Sequence, residues 1–269
     1  MPFDMALSDA LAAAWLLTVW LAYGPLFGGG WRGRRGLNAD MHVIRRAWAS
    51  AIVRRETRFT DAALTGHAIQ SVSFFASTSM LVLAALVGML GNLSWAFRAV
   101  HDLGLAGEGG RALFEAKALL LVSVFIYGFF KFTWALRQFN YVLALIGGAP
   151  PPGDCGAEAD GMVASIAAVL NQASESVNAG IRSYYVALMV LAWVAGPWVC
   201  IGVTSGMLSV LLWRQFRSPA ARAIAAQARA IEAVEARAID ARRASGAQYA
   251  EAGKPSEKPP SATNSPPVA

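Results

Sequence analysis

The ionisable residues best placed for chemistry lie in one aromatic-rich stretch between Tyr127 and Tyr141. On a helix, Lys131 and Gln138 share a stripe with aromatic residues, and Arg137 and Asn140 lie to one side. Ionisable residues within a membrane span often mark a path for ions or substrates. Trp and Tyr beside Lys are equally typical of the belt at a membrane surface. The stretch therefore indicates either an interfacial belt, or a functional site or buried ion pair.

A second basic stretch contains Arg45, Arg46, Arg54 and Arg58. Arg54 and Arg58 are four residues apart and share one face of a helix, with Asp61 three residues further on. Each cation near a bilayer attracts anionic headgroups by about 1 kcal/mol. The stretch predicts a basic segment that is simply solvated, or that contacts anionic lipid headgroups or a partner.

Carboxylates that could pair with the intramembrane cations are few. Asp61 is the most reachable partner for Lys131 or Arg137, because it lies on the same predicted membrane face. At the other end of the third apolar run, Glu115 is a possible partner for Lys117.

A polar stripe occurs where Gln70, Ser73 and Ser77 follow at i, i+3 and i+7. Small and hydroxyl-bearing residues at this spacing allow helices to approach closely and to hydrogen-bond across the interface. The stripe predicts a helix-packing face, with a polar lining for a substrate path as the alternative.

The sequence lacks the residue patterns of common enzymes and metal sites. It contains no HExxH, GxSxG or GxxxxGK[ST] motif. The glycine-rich residues 28–33 follow no predicted strand, so they indicate a flexible loop. The three histidines lie in separate contexts, and Cys155 and Cys200 form no CxxC motif and are expected to be free thiols. We expect no enzymatic activity, no metal and no cofactor. Hydrolysis of lipid phosphates by arginine electrophiles is a weaker idea, since no nucleophile pairs with a base.

Composition places the chain in a membrane. Hydrophobic residues make up 56% and charged residues 15%, with a mean hydropathy of +0.43. A soluble domain carries about 25% charged residues. The net charge of +6 is explained by the Lys and Arg of cytoplasmic loops, so nucleic acid is not an expected partner.

Four long apolar runs predict an all-α, integral membrane helical bundle with spans near 8–27, 68–90, 114–136 and 184–213. The third run requires Lys131 near the membrane edge, where its ammonium group can reach water. The fourth run is charge-free from Ser183 to Trp213, which is longer than an upright span, and Gly196-Pro197 lies near its middle. It is either one kinked helix or a re-entrant hairpin. An amphipathic helix over Ile166–Tyr185 is expected to lead into it.

Charge asymmetry predicts the orientation. Residues 28–62 contain eight Arg, and residues 91–115 only Arg98 and Arg111. The first loop is therefore expected in the cytoplasm. Four spans then place both termini outside, which conflicts with the nine Lys and Arg that follow Trp213. A re-entrant fourth run would remove the conflict.

The C-terminal part of the sequence changes character twice. Residues 218–246 are rich in Ala, Arg and Glu and predict a helical extension with a weak apolar stripe. Residues 247–269 are rich in Pro and Ser and are expected to be disordered.

Several stretches resemble the bacterial membrane protein family called domain of unknown function 599, over residues 7–222. The family is similar to four-helix proteins of the bacterial plasma membrane without established activity, so the resemblance implies no catalytic residues. The matching stretches are Leu37–His42, Arg45–Trp48, Ser71–Thr78, Phe129–Tyr141, Gly180–Tyr185 and Arg214–Ser218.

Two functions fit these features. The first is a structural or interaction subunit of the bacterial inner membrane that packs against itself or other membrane proteins and holds anionic lipid. The alternative is a small oligomeric transporter or channel for an anionic solute, in which Lys131, Arg137, Gln70 and Ser77 line the path.

Overall fold

The structure is a computed structural model that describes residues 6–28, 36–102, 104 and 110–252. Four helical segments within these ranges are long and apolar enough to cross a membrane: α3, α5, α6 and the segment that begins with α7. The predicted all-α membrane bundle is therefore confirmed. The described helices are α1 Leu7–Gly28, α2 Leu37–Arg54, α3 Phe59–Leu90, α4 Leu93–Asp102, α5 Arg111–Gly147, α6 Ala159–Ala195, α7 Pro197–Phe216 and α8 Pro219–Ala252.

The helices differ in their bounds from the predicted spans. The second and third predicted spans lie within α3 and α5, and α5 continues beyond residue 136 to Gly147. The first run forms α1, whose apolar part over Leu7–Ala22 is shorter than the four candidate spans. The predicted amphipathic helix Ile166–Tyr185 is one continuous helix, α6, with the first part of the fourth run.

The fourth run turns back on itself at Gly196. This residue has φ +144°, which favours glycine, and Pro197 begins α7. The end of α7 lies against the middle of α6, where Arg214 Nη1 donates to Tyr185 Oη at 3.2 Å. The run is thus not a single kinked helix but a hairpin, and its arms are longer than the two short halves of the re-entrant alternative. Its second arm has 20 residues, about 30 Å, which is enough to cross a bilayer core.

The bundle is built around the hairpin of α5 and α6, which pack against each other along their lengths. Buried residues recur every three or four positions on both helices, as in a continuous helical seam. One hydrophobic cluster joins the seam to α2 and α3, and a second joins it to α1 and α7. The two clusters follow one another along the hairpin.

The two helices approach most closely where the clusters meet. Gly180 faces the ring of Phe132, and a Cβ atom on Gly180 would lie 2.6 Å from that ring. Phe132 is fully buried and stacks on Phe75 of α3 with ring centroids 5.5 Å apart. Tyr184 completes the contact: its hydroxyl lies 2.8 Å from Ser79 Oγ. Aromatic packing thus joins α3, α5 and α6 at one level.

Outward-facing side chains of the α5–α6 hairpin change from apolar to polar at one level of the bundle. On α5 the change falls between Phe130 and Arg137. On α3 Ser71 and Gln70 are exposed beyond Phe74, but so are the apolar Leu64 and Phe59. On α6 Leu188 is exposed on one side of this level and Glu175 on the other. The part on the polar side, here called the polar extension, comprises α2 and residues 59–71, 137–147 and 159–175.

The last helix, α8, begins with a side-chain cap. Ser218 Oγ accepts a hydrogen bond from the Ala221 N–H at 3.1 Å. The last described residues, 247–252, belong to α8, and their Ala, Gln and Glu favour a helix; the start of the disordered tail stays a prediction. Residues from Arg229 belong to a second unit. Residues 253–269 and most of the glycine-rich loop 28–33 lie outside the described residues.

Replacing Gly180 with Ala should destabilise the bundle by about 1–3 kcal/mol, because the new methyl group overpacks against a ring that cannot move away. The measurement is the thermal unfolding midpoint of the full chain in mild detergent. Gly206→Ala on α7 is the matched control, since no atom lies within 4 Å of its Cβ position. Equal midpoints for both variants would contradict the close approach.

Candidate functional site

Lys131 and Arg137 lie on the outer face of α5 rather than in the interior. The Lys131 ammonium nitrogen is 5.4 Å from the ring centroid of Tyr127. Arg137 is exposed, and its Nε donates to Tyr141 Oη at 2.5 Å. Both border a shallow groove of about 450 Å³ lined by α5 residues only. This position fits a belt at the membrane surface.

Asp61 does not pair with Lys131 or Arg137, so the expected ion pair was wrong. Its carboxylate is fully buried, and its Oδ1 accepts hydrogen bonds from Trp48 Nε1 and Arg55 Nη1, each at 2.8 Å. Because α2 leads directly into α3, Trp48 and Arg55 are close to Asp61 in the chain and hydrogen-bond to its carboxylate.

Arg58 links the α2–α3 turn to the loop between α5 and α6 by hydrogen bonds. Its guanidinium donates to the carbonyl oxygens of Ile52 at 3.0 Å, Pro150 at 2.6 Å and Ala149. These backbone acceptors give Arg58 a structural position, whereas Arg54 on the same predicted face is exposed.

Arg45 joins α2 to α6. Its Nη1 donates to Asn171 Oδ1 at 3.0 Å. Burial lowers the pKa of Arg45, and the negative charge of Glu175 partly offsets this by raising it. His42 Nε2 lies 3.4 Å from Glu175 Oε1 on the same side. Arg46, the neighbour of Arg45, is exposed.

The remaining predicted residues separate into buried and exposed positions. Gln138 is buried, with its amide 2.8 Å from Ser176 Oγ of α6, whereas Asn140 is exposed. Gln70 and Ser77 are also exposed. The expected packing face on α3 was therefore wrong, because the opposite face, with Val72, Ala76, Ser79 and Leu83, packs on the core. The predicted residues do not form one site.

A buried ion pair at the end of the bundle opposite the polar extension was missed by the sequence reasoning. Lys117 Nζ lies 3.3 Å from Asp9 Oδ1, with both side chains 6% exposed. Trp193 links the pair: its Nε1 donates to Asp9 at 2.8 Å, and its carbonyl accepts from Lys117 at 2.9 Å. Glu115 bonds to Arg111 instead, so its expected pairing with Lys117 was wrong. The available signal was a charged residue at the start of the first and of the third apolar run, Asp9 and Lys117.

A second missed feature is a cleft of about 200 Å³ where α2, α6, α7 and the start of α8 meet. We call it the interfacial cleft. Three of the stretches that carry the family resemblance meet here: Leu37–His42, Gly180–Tyr185 and Arg214–Ser218. This resemblance was the only sign in the sequence that could have pointed to the cleft. Its polar lining consists of Asn38, Asn178, Arg182, Tyr185, Arg214, Gln215 and Ser218.

Removing one partner of the buried ion pair should destabilise the protein by about 3–5 kcal/mol, because the other charge is left uncompensated. Lys117→Met and Asp9→Asn test this through unfolding midpoints in detergent. The double variant should recover much of the loss, since it leaves no buried charge. Additive losses in the double variant would show that the two side chains are not coupled.

Comparison with known proteins supports the resemblance noted in the sequence. The model of the family described as "Protein of unknown function, DUF599" matches residues 11–220. No curated protein and no solved structure matches the chain. The chain belongs to the DUF599 family.

Proposed function

We propose that this DUF599 member is a non-enzymatic interaction subunit of the bacterial plasma membrane whose polar extension binds a partner protein in the cytoplasm. The observation that carries the proposal is the length of the α5–α6 hairpin. Each helix has 37 residues, which is about 55 Å. A bilayer core is about 30 Å thick, so about 25 Å of the hairpin lies beyond it.

The polarity of the exposed side chains supports a projection on one side only. Exposed Trp134 marks the change, since Trp is enriched at membrane surfaces. Beyond it, Arg137, Asn140, Gln172 and Glu175 are exposed. A hairpin immersed in lipid over its full length would expose apolar residues there.

The polar extension is held as a defined body. Arg45 ties α2 to α6 through Asn171, and Arg58 ties the α2–α3 turn to the α5–α6 loop. The hydrophobic cluster shared by α2, α3, α5 and α6 fills its interior. A packed surface with exposed charges such as Arg46 and Arg54 suits a protein partner.

Charge distribution supports a cytoplasmic location for the extension. The basic residues of α2 and those around Arg214 occur at the same end of the bundle, because Leu37 and Gln215 line one cleft. If α1, α3, α5, α6 and α7 all cross, the two ends of the bundle lie on opposite sides. Both basic segments then face the cytoplasm, which removes the conflict in the four-span topology.

A second candidate function is transport of an anionic solute by an oligomer. Lys131 and Arg137 face outward into the groove on α5. Only neighbouring copies could place them around a path, because the interior of the single bundle is filled by the two hydrophobic clusters.

Cysteine labelling tests the orientation. In a Cys155→Ser, Cys200→Ser background, Ser165→Cys on the polar extension should react with a membrane-impermeant maleimide only after the membrane is opened. Asn92→Cys, between α3 and α4, should react on intact cells. Both side chains are exposed, so the reverse pattern would place the extension outside the cytoplasm.

Charge reversal on the extension should remove the partner. The wild-type chain is purified from native membranes in mild detergent, and the mass of the intact particle is measured. We expect the wild type to copurify with a second protein in a fixed ratio. The Arg46→Glu/Arg54→Glu variant should lose this protein, because its new carboxylates repel the acidic surface with which the partner docks.

Arg98→Glu/Arg111→Glu is the control, since it makes the same change in charge at residues outside the extension. It should retain the partner. A homo-oligomer that carries only lipid would contradict the interaction subunit and favour the transporter, for which Lys131→Gln and Arg137→Gln should then abolish flux.

A further inference from the structure

We propose that the interfacial cleft is a binding site for a phosphate group. The proposal does not depend on the interaction function, because the arginines that carry it lie on α6 and α7 outside the polar extension; the cleft shares only Leu37 and Asn38 of α2 with the extension. Phosphate can come from an anionic phospholipid headgroup or from a soluble phosphorylated solute. The recognising chemistry is the same for both sources.

Two guanidinium groups give the cleft its charge. Arg182 and Arg214 both line it, and the described lining residues include no Asp or Glu. Tyr185 Oη accepts from Arg214 Nη1 at 3.2 Å, which holds this exposed guanidinium in the lining of the cleft. Arginine pairs with phosphate oxygens through two parallel hydrogen bonds, so the lining favours a phosphate over a neutral ligand.

Gln215 adds a donor that lacks an acceptor. Its Nε2 atom is buried and has no hydrogen-bond partner among the described residues. A buried donor without a partner is costly. As placed, Nε2 lies against the backbone of Gly36; because the Gln215 side chain lines the cleft, a turn of its amide would present this donor to a phosphate oxygen. The polar groups of Asn38 and Asn178 also line the cleft.

Two helices begin at the cleft. Leu37 and Asn38 form the first turn of α2, and Ser218 and Ala220 lie at the start of α8. The first N–H groups of a helix have no acceptor within the helix, and the helix dipole places partial positive charge there. Helix N-termini are therefore suited to anions, and the start of α2 adds to the two arginines. The start of α8 adds less, because Pro219 has no N–H and Ser218 Oγ already accepts from the Ala221 N–H.

The size and depth of the cleft fit a headgroup phosphate. Its volume of about 200 Å³ is below the roughly 300–1,000 Å³ of pockets that enclose a drug-sized ligand. Trp213, next to Arg214, is 54% exposed, and both residues are near the end of an α7 helix that matches a bilayer core in length. Acyl chains could extend into lipid while the phosphate enters the cleft.

Gln215→Glu is the most informative variant. It keeps the size of the side chain but places a carboxylate beside Arg214. We expect the variant to fold, because the two arginines that line the cleft offset the new carboxylate, and to bind phosphate at least tenfold more weakly. Gln227→Glu is the matched control, since Gln227 is exposed on α8 and does not line the cleft.

The experiment measures unfolding midpoints of the full chain in non-ionic detergent. The probes are inorganic phosphate, dihexanoyl phosphatidylglycerol and dihexanoyl phosphatidylcholine, each against sodium chloride at equal ionic strength. We expect a rise of several degrees for the wild type and Gln227→Glu, and about 1 °C or less for Gln215→Glu. Intact-mass analysis adds a second readout. A phospholipid that is retained by the wild type and lost in Gln215→Glu supports the proposal in the same way as the rise in the unfolding midpoint.

The probes identify the source. A rise with phosphatidylglycerol alone, or a retained phospholipid, assigns the site to a lipid headgroup, and a rise with inorganic phosphate assigns it to a soluble phosphate. Equal responses of the wild type and Gln215→Glu, or neither a rise above chloride nor a retained lipid in the wild type, overturn the proposal. If Gln215→Glu does not fold, Arg214→Gln against the exposed Arg222→Gln gives the same comparison.

Discussion

The close approach of α5 and α6 at Gly180 is the constraint on which the rest of the structure depends. Because Gly180 has no side chain, the Phe132 ring can occupy the space between the helices and stack on Phe75 of α3. The two 37-residue helices can then stay in contact on both sides of this point. One side buries residues against α1 and α7, and the other against α2 and α3. A membrane-embedded half and a polar half thereby share one pair of helices.

The two ends of the membrane-embedded half differ in the charged residues that they contain. At one end, Asp9 and Lys117 neutralise each other, and Trp193 satisfies one donor or acceptor of each. At the other end, Arg182 and Arg214 line a cleft without a carboxylate among its described residues. A buried pair that is complete needs no ligand and contributes mainly to how the helices assemble. A cleft lined by two arginines, with no carboxylate among its described lining residues, is suited to bind an anion, so we expect ligand binding at the second end.

The sequence predicts the class of fold well because lipid imposes a strong rule on it. Long charge-free runs must be helices in a bilayer, and α3 and α5 lie where such runs occur. The faces of these helices are harder to predict. Gln70 and Ser77 resemble a packing stripe, yet Val72 and Ala76 face the core. Which face of a helix packs depends on the partner helix, and both faces of α3 contain small residues that could allow close packing.

The candidate site was hard to predict for a related reason: its residues become neighbours only when the chain turns back at Gly196. The sequence left that turn open between a kink and a hairpin. In a single kinked helix, Tyr185 and Arg214 would be about 43 Å apart along the axis, and neither would indicate a site. In the hairpin they are in hydrogen-bond contact, and the start of α2 closes the third side. A phosphate site in this protein therefore depends on the backbone conformation of one glycine, whereas Lys131 and Arg137, the conspicuous cations of the sequence, remain on the outer face of α5.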